Sequence, residues 1–246
     1  MMSDQLIVVL HRPRDVRNIG AVVRAMKNFG FRQLRLVQPA PFDPADLLGI
    51  AHRSEDLVGA ITQFPDLPAA LADAHYVLGT SERAHPGRPA RSDLRPLAAE
   101  LLSRAAVGPV ALLFGPEDKG LDSDALDRCN AVLTLPADPA YPSLNLAQAA
   151  LLLLYELRMA AADAPHPPPA RLAAPAAELE TLSAALGTAL DAVGFVKSGD
   201  GAATMRRLRA LITRAEPDSA EAALLTAFAR EIASALRRVS GSGDQE

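Results

Sequence analysis

Cysteine is almost missing from this 246-residue chain; Cys129 is the only one. That excludes a disulfide framework and a thiolate zinc site, so no metal is expected. It also suits a reducing compartment, and a cytoplasmic location is expected. Long apolar runs are missing too. The longest, ALLLL at Ala150–Leu154, is far too short to span a bilayer and is bounded by Gln148 and Glu156, so no membrane association is expected. Met1–Gln5 has no basic start followed by an apolar run, and no signal peptide is expected. A G-x-x-x-x-G-K-[ST] phosphate loop is absent, and no G-x-G-x-x-G follows Leu10, which argues against a nucleotide-dependent metabolic enzyme. Finally, there is no basic excess. With 25 Lys and Arg against 29 Asp and Glu, the net charge is −4, which argues against coating nucleic acid by bulk electrostatics.

Basic residues are nevertheless sorted. Arg12, Arg14, Arg17, Arg24, Lys27, Arg32 and Arg35 are opposed only by Asp15. Near the C-terminus Lys197, Arg206, Arg207, Arg209 and Arg214 are opposed only by Asp200. Two such clusters in an acidic chain point to a polyanion partner. Within the first, RDVRNIGAVVRAMKNFGF reads as a helix whose apolar face is Ile19, Val22, Val23, Met26 and Phe29. Its opposite face collects Arg17, Gly20, Ala21, Arg24 and Lys27, which is bare, basic and free of acids.

Short apolar runs at Leu6–Leu10, Leu34–Val37, Tyr76–Thr80, Val110–Phe114 and Ala131–Leu135 alternate with helical patterns. This predicts an α/β fold with a parallel sheet covered on both faces. Leu144–Ala162 predicts a long helix, apolar nearly all round, of the kind buried in a core or an interface. Five prolines between Ala162 and Glu178 predict a stiff linker. Helical patterns then run over Ala177–Val193, Ala202–Arg214 and Ser219–Arg237. The expected organisation is a domain over 1–163, a Pro/Ala-rich linker over 164–176, a small helical domain over 177–240 and a disordered tail over 241–246.

Three stretches carry chemistry. In LLFGPEDKGL a strand ends at Phe114 and Gly115 opens a tight turn, where a ligand can approach the backbone. In LPADPAYPSLNLAQ three prolines hold the chain extended, Ser143 is placed to cap the long helix and Asn145 sits in its first turn. GTSERAH, at the end of the third strand, offers small polar residues to a crevice. Each stretch alone is also explained by an ordinary turn or cap.

Together, N-x-G-x-x-x-R followed by F-G, then F-G-x-E-x-x-G-L, then S-L-N-L before an apolar helix resemble the three motifs of the SPOUT RNA methyltransferases, in their TrmH/TrmJ branch. The match covers essentially residues 6–160, and Gly194–Ser219 resembles the C-terminal extension of the TrmJ-type tRNA enzymes. The resemblance implies a sheet with a C-terminal trefoil knot, the SPOUT fold, in a homodimer with active sites at the subunit interface. It implies S-adenosylmethionine as cofactor, held by Thr80, Ser81, Glu82, Gly115, Leu135, Pro142, Ser143 and Leu144, with Asn18, Glu117, Gly120 and Asn145 shaping the site. Arg24 matches the catalytic arginine, with Asn18 helping to fix it, and the small Gly20 and Ala21 would let RNA or the partner subunit come close. Arg14, Arg17, Arg83, Arg206, Arg207 and Arg209 would grip RNA phosphates. The implied activity is 2′-O-methylation of tRNA ribose at the cytidine or uridine of nucleotide 32. A sibling enzyme acting on ribosomal RNA or another tRNA position, and a non-catalytic RNA-binding SPOUT protein, are the alternatives. Glu82 departs from what an RNA-facing loop would favour. Cys129 and the histidines match no motif and read as structural or surface residues.

Overall fold

The computed structural model describes residues 4–162, 171–195 and 201–241. Most of the predicted linker, together with Lys197, Asp200 and residues 242–246 of the predicted tail, lies outside them. The chain divides into two compact units between Leu172 and Ala173, inside the stretch read as a linker.

The first unit is built on seven parallel strands: β1 (Leu6–His11), β2 (Gln33–Val37), β3 (Thr62–Phe64), β4 (Tyr76–Thr80), β5 (Ala90–Arg91), β6 (Val110–Phe114) and β7 (Ala131–Leu133). Their order across the sheet is β3-β2-β1-β6-β4-β7-β5. Every residue of β1, β6 and β7 is buried, as a parallel sheet covered on both faces requires. Burying each Val or Leu there contributes about 1.5–3 kcal/mol before the entropy cost of ordering it. The helices between the strands are α1 (Val16–Phe29), α2 (Pro44–Ile50), α3 (Glu55–Gly59), α4 (Leu67–Leu71), α5 (Leu94–Ala105), α6 (Ser123–Leu126) and α7 (Leu146–Ala162). β7 lies between β4 and β5, although both precede it in the chain. The carboxyl ends of β6, β4 and β7 are therefore neighbours.

The sequence predicted five strands. The two further ones, β3 and β5, are short and largely exposed, so neither leaves an apolar run to read. The opening helix forms as expected. Asp15 caps α1 by accepting from the Arg17 amide, and Gly30, at φ 81°, ends it by donating to Met26 O. Ile19, Val22, Val23 and Met26 are buried. The reading of Gly20 needs correction. Gly20 is itself buried, and a Cβ there would stand 2.8 Å from Ile50 Cβ. Its smallness seats the end of α2, so it does not serve RNA or a partner.

α7 is two-sided. Leu146, Ala150, Leu153, Leu154 and Leu157 enter the core, while Leu151, Leu152, Tyr155 and Met159 are each more than 40% exposed. The second unit comprises α8 (Ala176–Ala192), α9 (Gly201–Ala215) and α10 (Ser219–Gly241). Ala185 and Ala189 of α8 meet Ala229 and Ala233 of α10. Small side chains at that contact let the helices approach closely.

His11, at the end of β1, is buried, and its Nδ1 has no hydrogen-bond partner among the described residues. Burial, aided by the Arg12 charge and opposed by Asp122, holds its pKa below 6.5. The unfolded chain binds the proton at its ordinary pKa, so this contribution to stability is complete above about pH 6.5 and declines as the pH falls below it. The melting temperature should drop between pH 7.5 and 5.5, by no more than about 1.4 kcal/mol of stability per pH unit for one group. Calorimetry should find that His11→Gln flattens that slope.

Candidate active site

Where β4, β6 and β7 end, three loops line a half-open cleft. The first wall is the loop after β4. Thr80 Oγ1 donates to Leu113 O at 3.2 Å, and the Ser81 amide donates to Leu133 O at 3.0 Å. Ser81 Oγ then accepts from the Arg83 amide at 3.1 Å. Glu82 lines the cleft, with Arg83 Nε 3.2 Å from its carboxylate.

The second wall is the loop after β6. It folds back so tightly that a Cβ on Gly115 would lie 2.3 Å from Gly120 C and from Leu121 N. Gly120 closes the loop at φ 65°, its amide donating to Pro116 O at 2.9 Å. Two glycines thus do different jobs: one leaves room, the other turns the chain. Lys119 also faces this cleft, as do Phe114 and Leu121 at the two ends of the F-G-x-E-x-x-G-L motif, three residues to which the sequence assigned no site role.

The third wall is Leu135 with Pro142, Ser143 and Leu144, leading into α7. Here the capping assignment changes. α7 begins at Leu146, and Asn145 caps it, its Oδ1 accepting from the amides of Ala147 at 2.8 Å and Gln148 at 3.4 Å. Ser143 lines the cleft instead. Both residue types cap well, so the sequence could not choose between them.

All eight residues expected at the methyl donor line this one cleft, as do Glu117 and Gly120. A polar chain beside it joins the three motifs. Glu117 accepts from the Arg14 amide at 3.0 Å, the Asp15 amide at 3.3 Å and Asn18 Nδ2 at 2.9 Å. Asn18 Oδ1 in turn accepts from Asn145 Nδ2 at 2.9 Å. One carboxylate and two carboxamides thereby fix the start of α1, the β6 loop and the start of α7 against one another.

The loops are also braced from behind. Asp127 lies 2.9 Å from His85 Nε2, both side chains being 12% exposed. The buried Arg88 donates from Nε to Leu126 O at 3.2 Å and from a terminal nitrogen to Asp127 O. This brace ties the far end of the GTSERAH loop to the region after α6. Nothing but the polar residues of that loop hinted at it. Cys129 sits nearby with Sγ 3.3 Å from Ala125 O, and burial pushes its thiol up to about 12, so it is no nucleophile at neutral pH.

Arg24 is elsewhere. It is exposed on α1, outside the cleft lining, and has no hydrogen-bond or ion-pair partner among the described residues. Asn18 does not fix it; the Asn18 amide group is engaged by Glu117 and Asn145. Nor is the basic face acid-free in three dimensions. Arg17 pairs with Asp15 at 2.7 Å, Arg14 with Asp118 at 3.0 Å and Lys27 with Asp56 at 2.6 Å. The hydrogen bond from Arg17 holds the Asp15 carboxyl below its ordinary pKa. Such exposed pairs are weak and open readily to a stronger anion. In the second unit Arg206 and Arg207 are exposed, whereas Arg209 forks onto Glu180.

Comparison with known proteins places these features. The SpoU rRNA Methylase family model matches residues 5–155, and the model of the C-terminal domain of tRNA methyltransferase TrmJ matches residues 177–242. The chain is 34% identical over 239 residues to the tRNA (cytidine/uridine-2'-O-)-methyltransferase TrmJ of Cronobacter sakazakii, covering 95% of this chain and 98% of that one. Among solved structures, TrmJ from Z. mobilis ZM4 is similar with a TM-score of 0.81 at 30% identity, over 92% of this chain and 98% of that one. A structure giving insight into the 2-OH methylation of C/U34 on tRNA has a TM-score of 0.52 at 26% identity, over 65% of this chain and 98% of that one.

Proposed function

This chain belongs to the SpoU rRNA methylase family, and from that premise we propose that it is an S-adenosylmethionine-dependent tRNA ribose 2′-O-methyltransferase. The observation that carries the reading is the bonded chain Glu117–Asn18–Asn145 beside the cleft, which brings all three motifs to one place. Within the family, the match of residues 177–242 to the TrmJ C-terminal domain favours the tRNA enzymes. It also separates this chain from the relative concerned with C/U34, which covers only 65% of it. Our reading of the target is the pyrimidine nucleotide 32 of the anticodon loop. The retained Arg24, Glu117, Ser143 and Asn145 speak against a non-catalytic RNA-binding protein.

The cleft suits this cofactor. Gly115 lets the loop after β6 fold back on itself as one wall, and Glu82 offers a carboxylate to a cationic ligand. Thr80, Ser81, Glu82, Gly115, Leu135, Pro142, Ser143 and Leu144 would hold it. S-adenosylmethionine supplies an electrophilic methyl on a sulfonium. The chain's own task is to bring a ribose 2′-oxygen into line and to stabilise the charge that grows there as its proton leaves. An arginine guanidinium stays protonated in proteins, so Arg24 acts as a fork for phosphate and developing oxyanion, without serving as the base. Glu117 and Asn18 hold the helix that carries it. Arg14, Arg17, Arg83, Arg206 and Arg207 grip the phosphate backbone, with an affinity that falls as salt rises.

Arg24 stands outside its own chain's cleft, and α7 leaves an apolar stripe of Leu151, Leu152, Tyr155 and Met159 exposed. Both support a homodimer in which Arg24 of one subunit serves the cleft of the other. The placement of β7 between two earlier strands supports the trefoil knot. Among the described residues no helix is long and apolar enough to cross a membrane, and the proposed site of action is the cytoplasm.

The test is mass spectrometry of nucleosides from unmodified tRNA transcripts incubated with the protein and S-adenosylmethionine. A gain of 2′-O-methylcytidine or 2′-O-methyluridine, mapped to nucleotide 32, is the expected result. Methylation only of ribosomal RNA, or at another tRNA position, would replace this reading with the sibling enzyme. No methylation at all, with the cofactor bound, would replace it with the non-catalytic one.

A further inference from the structure

This chain is poor in aromatic residues, with no tryptophan, 3 tyrosines and 7 phenylalanines. Against that scarcity Tyr141 stands out. At 81% exposed, it is the most exposed large hydrophobic side chain among the described residues. Burying a tyrosine ring is favourable, so one held in solvent asks for a reason.

Its segment is arranged to hold it there. Asp138 Oδ1 accepts from the Ala140 amide at 2.8 Å, and Asp138 O accepts from the Tyr141 amide at 2.8 Å. Pro139 and Pro142 bracket the turn and restrict its backbone. The turn is thus preset, and ordering it costs little when something docks on the ring. The three residues that follow, Pro142, Ser143 and Leu144, line the cleft, and Asn145 belongs to the polar chain. The ring therefore belongs to the loop that supplies one wall of the cleft, on the residue just before its lining begins.

We propose that Tyr141 is the stacking platform for the base of the nucleotide whose ribose is methylated, a pyrimidine in a single-stranded loop. This rests on the methyltransferase reading above. To present its 2′-oxygen to the cleft, the target nucleotide leaves the stack of its neighbours. An aromatic face at the rim replaces that lost stacking. Stacking is tolerant of base identity because every base has a π-face, which fits acceptance of both cytidine and uridine. Base–aromatic stacking is worth about 1–3 kcal/mol, or roughly 5- to 150-fold in affinity.

The test compares wild type with Tyr141→Phe, Tyr141→Leu and Tyr141→Ala. Three properties are measured: kcat/KM for a tRNA transcript, the S-adenosylmethionine dissociation constant by calorimetry, and mass by sedimentation. In parallel, a tRNA anticodon hairpin carries the fluorescent base pyrrolocytidine at the target position. Tyr141→Ala and Tyr141→Leu should lower kcat/KM about 10- to 100-fold and abolish the quench that wild type gives on binding. Tyr141→Phe should stay within about twofold of wild type, and cofactor affinity and mass should not move. Leucine performing as well as phenylalanine would overturn stacking. So would an unaffected alanine variant, a lost cofactor site or a halved mass, the last showing that the ring packs against a second copy of the chain. If wild type methylates nothing yet quenches the probe through Tyr141, the enzyme reading falls and the stacking stands. If wild type methylates tRNA and no variant matters, the stacking falls alone.

Discussion

Arg24→Ala should cut methyl transfer to tRNA by about two to three orders of magnitude, the loss found when one preorganised charge-stabilising donor is removed from a site. The side chain is exposed and has no partner among the described residues. Nothing in the fold depends on it, so the melting temperature should hold within about 0.5 kcal/mol of stability. Since the proposed partners of Arg24 are a phosphate and the developing oxyanion, the dissociation constant for S-adenosylmethionine should also be unchanged. Arg24→Lys should recover only part of the loss, because an ammonium keeps the charge and loses the fork. Single-turnover methylation under saturating cofactor, read beside calorimetry, checks all of this. If the alanine variant loses cofactor binding along with turnover, Arg24 belongs to the pocket and its assigned role is wrong.

The second large effect is expected at Glu117, and the instructive variant is the isosteric one. Its carboxylate meets three donors: the amides of Arg14 and Asp15 and Asn18 Nδ2. Glu117→Gln keeps the shape but turns one acceptor into an NH₂, which must face donors. Glu117→Ala leaves all three unanswered. Each unmet polar group costs about 1–3 kcal/mol where it is kept from water. Both variants should therefore lower thermal stability and reduce activity at least about 100-fold, with glutamine a poor rescue. Since Asn18 also receives Asn145, cofactor affinity should weaken as well, through the loosened start of α7. A glutamine variant with wild-type activity would show that the carboxylate is not the joint between the motifs. Differential scanning calorimetry alongside the methylation assay separates the two losses.

Much of this was legible beforehand, for reasons that can be stated. The central strands are continuous apolar runs because a covered parallel sheet buries both faces, and such runs survive reading in one dimension. The buried side of α1 repeats at helical spacing, so Ile19, Val22, Val23 and Met26 were placed correctly. The walls of the cleft were identified from residues in three loops separated widely in sequence, and they do meet. That success came through the family motifs; no periodicity in the chain joins Thr80 to Gly115 or to Ser143.

What was not legible depends on partners far away in sequence. A helical wheel put Gly20 on an open face because it cannot know that Ile50 arrives there. The same wheel made the basic face look free of acids, since Asp56 and Asp118 come from other elements. Arg209 was grouped with the phosphate-gripping arginines, while in the fold Glu180 occupies its guanidinium. The cap of α7 moved two residues because Ser143 and Asn145 are chemically equivalent there, and only the course of the proline-rich loop decides between them.

The position of β7 has a consequence for how the protein comes into being. When β5 leaves the ribosome, the place between it and β4 must stay open for a strand that is synthesised some forty residues later. A nascent chain therefore carries a slot flanked by two strands with unanswered backbone groups, and zipping that slot shut would be an error it has to avoid. Contacts between distant segments form slowly, so maturation waits on this insertion. The loop that follows β7 supplies the last wall of the cleft. Ligand capture thus reports that assembly has finished, and a chain halted before that point has no pocket to offer.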